Sequence, residues 1–445
     1  MKRKTIFTLI FLIVICYLPT KGQEVSGELK LTLKEAQEYA IENNRTVLSA
    51  RADVKASRMA LWETISAGLP QIEASGSFAD NLKLMTTLLP GEFFGMPGEK
   101  IPVTFGSKYN SSASVQASML LFNAPLYIGI KTTELAGKLS QQSLEKSEQD
   151  TRESVSTTYY LILVSEKSLE ILDQNIANLK ETLTSTRAMY AAGMAEATDV
   201  DQMLSNVTTV ENSRIMLERN IEMNYNLLRF QLGVPATAVI TLTETLDNMM
   251  NDINVEALLS QTFEYSKNIN YKMVASQELM SSLSLQSQKA SVLPTLAGFY
   301  NYGTSGMGDK ISDLRWFPNS TAGIQLSVPI LASGQRYAKI SRAKIELEKA
   351  RLTKDMVTEQ LLIQEKQLRY NLVNANLQYT SQRDNVEVAR RVYESTENKF
   401  RQGMASSLEL TQANSLFLQA ENNYISSLME LLQSKLALDK LLNNL

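Results

Sequence analysis

Asp199 and Glu409 are two carboxylates of this 445-residue chain whose surroundings are repeated. Each follows a glycine by six positions, in "GMAEATDV" (193–200) and "GMASSLEL" (403–410), and Gly193 and Gly403 lie 210 positions apart. Carboxylate pairs can do acid–base work in principle, but the chain gives them little company. It has no histidine, which removes the usual general base, the usual metal ligand and every Ser-His or Cys-His arrangement. "GTSGMGDK" (303–310) resembles a phosphate loop only superficially: Asp309 stands where lysine is needed, and no Lys-Ser/Thr pair follows. It reads as a loop connecting two strands. "SLEK" (143–146) fits a Ser-x-x-Lys pattern inside a charged helical run, with no companion motif. Met249-Met250, Met194 and Met404 carry thioethers that bind soft metals, but they are scattered, so core filling and hairpin packing are the better reading. The chain is therefore expected to be no enzyme and to hold no cofactor or metal.

The repeat then asks which elements hold the two carboxylates, and the N-terminus says where those elements work. Lys2, Arg3 and Lys4 precede an apolar run from Ile6 to Leu18, and Gly22 follows, which predicts a secretory signal peptide over residues 1–22. Cys16 sits within that run behind Ile13, Val14 and Ile15, too bulky for a lipid-attachment box, so the mature chain is expected to have neither lipid anchor nor cysteine. Losing the signal peptide removes four basic residues and no acidic one, taking the net charge from -3 to -7. That balance argues against a nucleic-acid partner. No later stretch has the roughly 20 apolar residues of a membrane-spanning helix, so any membrane entry must be by strands.

Gly and Pro, costly inside helices, mark out the helical segments. Neither occurs between Gly137 and Gly193, between Gly193 and Gly233, between Gly334 and Gly403, or after Gly403. At 1.5 Å per residue the run from 334 to 403 makes a rod of about 100 Å. Leu352, Met356, Ile363, Tyr370, Val373 and Leu377 follow a coiled-coil alternation, predicting a narrow buried seam. The repeated motif falls where one long helix ends and another begins. Gly193 and Gly403 supply left-handed C-caps. Thr198, and Ser406 or Ser407, can cap the following helices, whose first turns hold Asp199 and Glu409.

Leu69-Pro70 and Leu293-Pro294 each end a helical stretch and open a segment of period 2. Ile72, Ala74, Gly76 and Phe78 oppose Glu73, Ser75 and Ser77. Val115, Ala117, Met119 and Leu121 oppose Ser114, Gln116 and Ser118, while Ala322, Ile324, Leu326, Val328 and Ile330 oppose Gln325 and Ser327. A less regular strand carries Phe299, Tyr300 and Tyr302. An aromatic-edged apolar face backed by small polar residues is what a membrane strand needs. Each half thus reads helix, strand, loop, strand, long helix, turn, helix, with the longer loop in the first half over residues 81–110. The predicted organisation is a first structural repeat over 23–233, a linker over 234–253 and a second repeat over 254–445. Four strands cannot close a barrel in lipid, since the smallest barrels have eight. Two chains would give 8 strands and three would give 12.

Taken in order, "LTLKEAQEYAIENN", the Leu-Pro helix exits, "QLSVPILASGQR", "YAAGMAEATDV" and "FRQGMASSLEL" resemble the TolC-like outer membrane efflux protein family over the whole mature chain. The resemblance implies a mixed, mostly α fold. A homotrimer would form a 12-stranded outer-membrane β-barrel, four strands per chain and in contact with lipid, continued by a periplasmic α-helical coiled-coil barrel with the linker near its equator. It also implies a passive exit duct of a tripartite efflux pump or type I secretion system, with a periplasmic adaptor and an inner-membrane transporter as partners. Gly193, Met194, Ala195, Gly403, Met404 and Ala405 would be the adaptor-docking tips, with Glu409 and Asp199 at the periplasmic gate. Three carboxylates in a narrow ring favour cations; a solvated first-turn Glu409 is the competing reading. The polar Tyr and Arg that lock the mouth in some members are replaced here by Phe400 and Ala405, and Asp199 has no evident partner. A soluble periplasmic scaffold or adaptor would account for the helices but not for the alternating strands.

Overall fold

The computed structural model describes residues 28–90, 92, 95, 98, 100–251 and 253–445; the predicted signal peptide, residues 1–22, lies outside the described residues. Mixed α and β, and mostly helical, the chain divides into two compact units, each gathered from separate stretches. The first unit takes residues up to Arg45 together with Thr151–Ala257 and Leu372–Leu436; the second takes Thr46–Asp150, Leu258–Asn371 and Ala437–Leu445. Two of their boundaries fall inside very long helices, α3 (Ala124–Ala191) and α8 (Gln335–Arg401). Both follow from the long runs of good helix formers, although α3 begins well before Gly137 and carries Gly129 and Gly137 in its interior. Tertiary contact outweighs the propensity cost of glycine there, since a Cβ on Gly137 would meet the Ser57 hydroxyl at 3.6 Å.

In the first unit, β1 (Leu29–Leu31) runs parallel to β6 (Ile240–Leu242) and lies against α1 (Leu33–Asn43). Thr32 and Glu35 close a capping box on α1, with Thr32 N–H donating to Glu35 Oε2 at 2.8 Å. Leu31, Ala36, Val155, Tyr159 and Ile162 bury together with Leu228 and Leu232 of α4 (Ala197–Leu232). Tyr159 Oη donates to the Leu31 carbonyl at 3.1 Å, and its burial pushes the phenol up to about 12. Gly233 ends α4 at φ 72° against the Asn43 carbonyl. The linker predicted over 234–253 therefore contains a strand, β6, and a short helix, α5 (Leu246–Asn251).

The second unit holds nearly all of α2 (Arg45–Ser66), the latter half of α6 (Val255–Ser260), α7 (Ile269–Ala290) and an open antiparallel sheet ordered β2-β5-β7-β8. These strands are β2 (Gln71–Asp80), β5 (Tyr109–Phe122), β7 (Thr295–Gly308) and β8 (Arg315–Ser327). The four strands expected from period 2 are present, but the loop boundaries differ. Residues 303–308, expected in a loop, continue β7, and Arg315–Asn319 belong to β8. Glycine is needed there because larger neighbours cover it: a Cβ on Gly306 would sit 3.0 Å from the Trp316 ring. The long first loop contains a hairpin of β3 (Met85–Pro90) and β4 (Lys100–Phe105), missed because its prolines read as loop.

Register sorts the sheet faces. Glu73, Gln116, Asn301 and Thr321 share one row, as do Ser75, Ser114, Gly303 and Asn319. Ser75 and Ser114 hydrogen bond at 2.9 Å, and Ser77 and Ser112 at 2.8 Å. The opposite face carries Ile72, Ala117, Tyr300 and Ala322 in one row and Ala74, Val115, Tyr302 and Ser320 in the next. Phe299 falls on the polar face, across Gly323, where a Cβ would meet its ring at 2.8 Å. In this chain β2 and β8 are the sheet's edges. Among the described residues no helix is long and apolar enough to cross a membrane.

One expectation for α8 is corrected. Leu352, Met356, Ile363 and Tyr370 form no buried seam here; they are 61–69% exposed, along with Ile345 and Leu377. The side chains that α8 buries are others, among them Leu347, Leu361, Leu372, Val386 and Tyr393. The helix thus has two apolar stripes, and the heptad-spaced one faces away from the chain's own core.

Candidate functional site

Both hairpin tips lie in the first unit. α3 ends at Gly193 (φ 74°) and α8 at Gly403 (φ 72°), in the left-handed conformation that glycine adopts without a Cβ penalty. Met194 N–H donates to Met189 O at 2.8 Å and Gly193 N–H to Tyr190 O at 3.0 Å. Met404 N–H and Gly403 N–H repeat the pattern to Lys399 O and Phe400 O at 2.8 and 2.9 Å. Each tip is thus a Schellman motif that satisfies the last carbonyls of its helix. Met194 and Met404 are 74% and 66% exposed, so they do not serve the packing role expected of them, whereas Ala195 and Ala405 are half-buried and Ala405 lies against a core. Met249 does contact the core around Tyr159.

The two returning helices, α4 and α9 (Ser407–Leu442), start with reciprocal caps. Ser406 N–H donates to Glu409 Oε2 at 2.9 Å while Glu409 N–H donates to Ser406 Oγ at 3.2 Å. In the first tip the N-cap is Glu196 rather than Thr198, and its N–H donates to Asp199 Oδ2 at 2.9 Å. Thr198 is not the cap because its hydroxyl turns to Glu196 Oε2 at 3.2 Å. The Ser-x-x-Glu spacing at 406–409 is a readable capping signature.

Asp199 has the partner that the sequence left unnamed. Ser407, the second residue of the other tip's cap and 5% exposed, donates its hydroxyl to Asp199 Oδ1. Together the Ser407 hydroxyl and the Glu196 backbone N–H hold the Asp199 carboxyl below the ordinary carboxylate range. Farther along the helices the tips are joined by Asn206 Nδ2 to Thr411 Oγ1 at 2.8 Å, Asn175 Nδ2 to Asn414 Oδ1 at 2.7 Å, and Arg401 to Glu181 at 2.9 Å. Ile176, Leu179, Met203, Val207, Phe400 and Leu410 fill the core between them. Phe400 is a core side chain, which accounts for an aromatic with no hydroxyl at that position. Asp199 and Glu409 do not meet: one clasps the tips, and the other is exposed and engaged by one oxygen in its own cap.

Ser407→Ala is expected to remove about 1.5–3 kcal/mol, the value of a hydrogen bond to a charged acceptor. The sign with pH is set by the lowered carboxyl. The contribution is complete above the ordinary Asp range and fades as pH falls through the depressed value. Urea unfolding should therefore separate wild type from Ser407→Ala at pH 7 and bring the two together only below about pH 4.

A family model described as outer membrane efflux protein matches residues 37–234 and 275–444, one hairpin tip in each block. Over 423 residues the chain is 20% identical to outer membrane protein TolC of Vibrio cholerae, covering 90% of each chain. With the proteases secretion protein PrtF of Dickeya chrysanthemi it shares 23% identity over 224 residues, 50% of this chain and 48% of that one. Its fold matches the outer membrane protein VceC of Vibrio cholerae with a TM-score of 0.72 at 13% identity, covering 92% of this chain and 95% of the other. With both matched blocks built around the same capped hairpin, and together spanning most of its length, the chain belongs to the outer membrane efflux protein family.

Proposed function

We propose that three copies of this chain close a 12-stranded barrel in the outer membrane, continued into the periplasm by a helical barrel, to form the passive exit duct of a tripartite efflux pump or type I secretion system. The observation that carries this reading is the open sheet, which has a face of Ser, Gln, Asn and Thr, a face of Ile, Val, Ala and Tyr, and β2 and β8 at its edges. An open edge cannot stay in lipid, because backbone groups there have no water to bond. Pairing β8 of one copy with β2 of the next removes every edge and puts the polar rows in a lumen. The heptad stripe of α8 has the same implication, since exposed apolar residues at that spacing fit a neighbouring helix. Residues 23–233 and 254–445 serve as the two structural repeats, joined by 234–253.

In this reading the exposed Gly193-Met194 and Gly403-Met404, each backed by a half-buried alanine, dock a periplasmic adaptor that links the duct to an inner-membrane transporter. The name of PrtF refers to protease secretion, which supports a secreted-protein route beside efflux. Glu409 lines the mouth, while Asp199 holds the paired tips in register. Glutamine at 409 can still accept the Ser406 N–H, so Glu409→Gln separates charge from capping. The expected result is a cation preference reduced by about twofold or more with stability changed by less than about 0.5 kcal/mol. Unchanged selectivity would move Glu409 out of the constriction.

The test of the whole reading is conductance of the detergent-purified mature protein in a planar lipid bilayer. Discrete, cation-preferring steps are expected. Confirmed insertion without current would assign the closed state to the tips. A protein that never inserts would overturn the duct.

A further inference from the structure

The first unit contains a cleft of about 680 Å³ between α3, α8 and α9 that neither the tips nor the sheet uses. Three buried polar side chains line it: Asn175 and Tyr393, each 3% exposed, and Glu421, 7% exposed. Asn175 gives its amide N–H to Asn414, but its own Oδ1 has no hydrogen-bond partner, and neither has the Tyr393 hydroxyl. Glu421 is faced by Arg390 at 3.9 Å, too far for a hydrogen bond, and by the charge of Lys167 on α3. One wall is aromatic, with Phe417 stacked on Tyr393 at a centroid distance of 5.7 Å.

Buried polar atoms in native proteins are normally satisfied, and those left over point to a missing partner. Here the leftover atoms are a carbonyl oxygen and a hydroxyl, beside a carboxylate whose ion pair is long. The Asn175 oxygen and the ionised Glu421 carboxylate can only accept, and the Tyr393 hydroxyl, which can donate, reaches neither, so a donating partner would satisfy both acceptors. Five glutamates and three basic side chains line the cleft; Glu170 is paired with Lys167 and Glu397 with Arg401, so the three remaining carboxylates outnumber the two remaining guanidinium groups by only one. An ammonium brings three donors and no acceptor, and an aromatic wall is favourable both to the charge and to an apolar body. The volume is that of a small-molecule site. Burial raises the Glu421 carboxyl, against the lowering effect of the Arg390 and Lys167 charges.

We propose that this cleft binds a small organic ammonium, a primary amine on an aromatic or aliphatic body, held by the Glu421 carboxylate, the Asn175 carbonyl and the Tyr393 hydroxyl. The site goes beyond the exit-duct reading and stands independently of it. Calorimetric titration of the assembled, full-length mature protein in detergent at pH 7.5 tests it, with 2-phenylethylamine as probe and with 2-phenylethanol and 3-phenylpropanoate as uncharged and anionic controls. The amine is expected to saturate at one per chain, at least tenfold more tightly than either control. Glu421→Gln, close in shape, should weaken it at least tenfold. Tyr393→Phe, which keeps the stacked ring, should weaken it severalfold and serves as the second variant if Glu421→Gln fails to fold. Equal binding of all three probes, an unchanged affinity in either folded variant, or no saturation in the assembled protein, as when a neighbouring copy covers the cleft, would overturn the proposal.

Discussion

Replacing Leu352 and Ile363 together with glutamate is expected to yield a folded chain that neither assembles nor carries current. Both side chains lie on the outer stripe of α8, 65% and 64% exposed, so neither supports the fold of the chain itself. Burying a leucine or isoleucine against a neighbour contributes about 1.5–3 kcal/mol. If the stripe is the proposed interface, losing two such contacts should weaken it by at least about 3 kcal/mol, more than 100-fold in association, before the cost of burying a glutamate is added. The contrast is Leu361→Ala on the same helix. Leu361 is 3% exposed and belongs to the inner stripe, so that change should cost about 2–5 kcal/mol of chain stability. Light scattering in detergent, circular dichroism and bilayer recording separate the two outcomes. A double variant that still assembles and conducts would mean that the stripe is not an interface.

The second large effect is on stability. Gly233→Ala should cost on the order of 3–5 kcal/mol, about 1–2 of it from an L-residue in the left-handed region and the rest from a backbone collision. At φ 72° an added Cβ would come within 2.3 Å of the Asn43 carbonyl oxygen and 2.9 Å of its carbon, and neither can move without shifting α1. Gly193→Ala is the matched control. It has nearly the same φ, but nothing lies within 4 Å of the added atom, so only the conformational part should be lost. Denaturant unfolding of the two variants side by side gives the collision cost by difference. Equal losses would show that conformation alone accounts for glycine at both places.

Much of this architecture could be read from the sequence because its strongest signals are local. Gly193, Gly233 and Gly403 each end a helix in the left-handed conformation that only glycine adopts freely. Strands β2 and β5 announce themselves by period 2 because apolar and small polar residues alternate along them. The signal fails in β7, where "GTSGMG" reads as a loop; its glycines are set by Trp316 and Asn319 across the sheet, which no local window contains. Three-residue strands β1 and β6 are too short for any period, and their partners are distant. At the tips the carboxylates were visible but their roles were not separable. Asp199 and Glu409 occupy equivalent positions, and only the tertiary approach of Ser407 to Asp199 distinguishes a clasp from an exposed cap. The apolar stripe of α8 was legible as a heptad, but a heptad does not say whether its partner lies in the same chain.

The way the two units are gathered from the chain bears on the order in which it can fold. β1 waits for β6, 211 residues later, before it has a neighbour. The first unit also needs Leu372–Leu436, and the second needs Ala437–Leu445. Neither unit is complete while the last 70 or so residues are still being made or exported. Contacts of such long range fold slowly and leave apolar strands uncovered meanwhile. Neither unit can therefore close from its N-terminal stretches alone, and removing Leu372–Leu445 would take residues from both units at once.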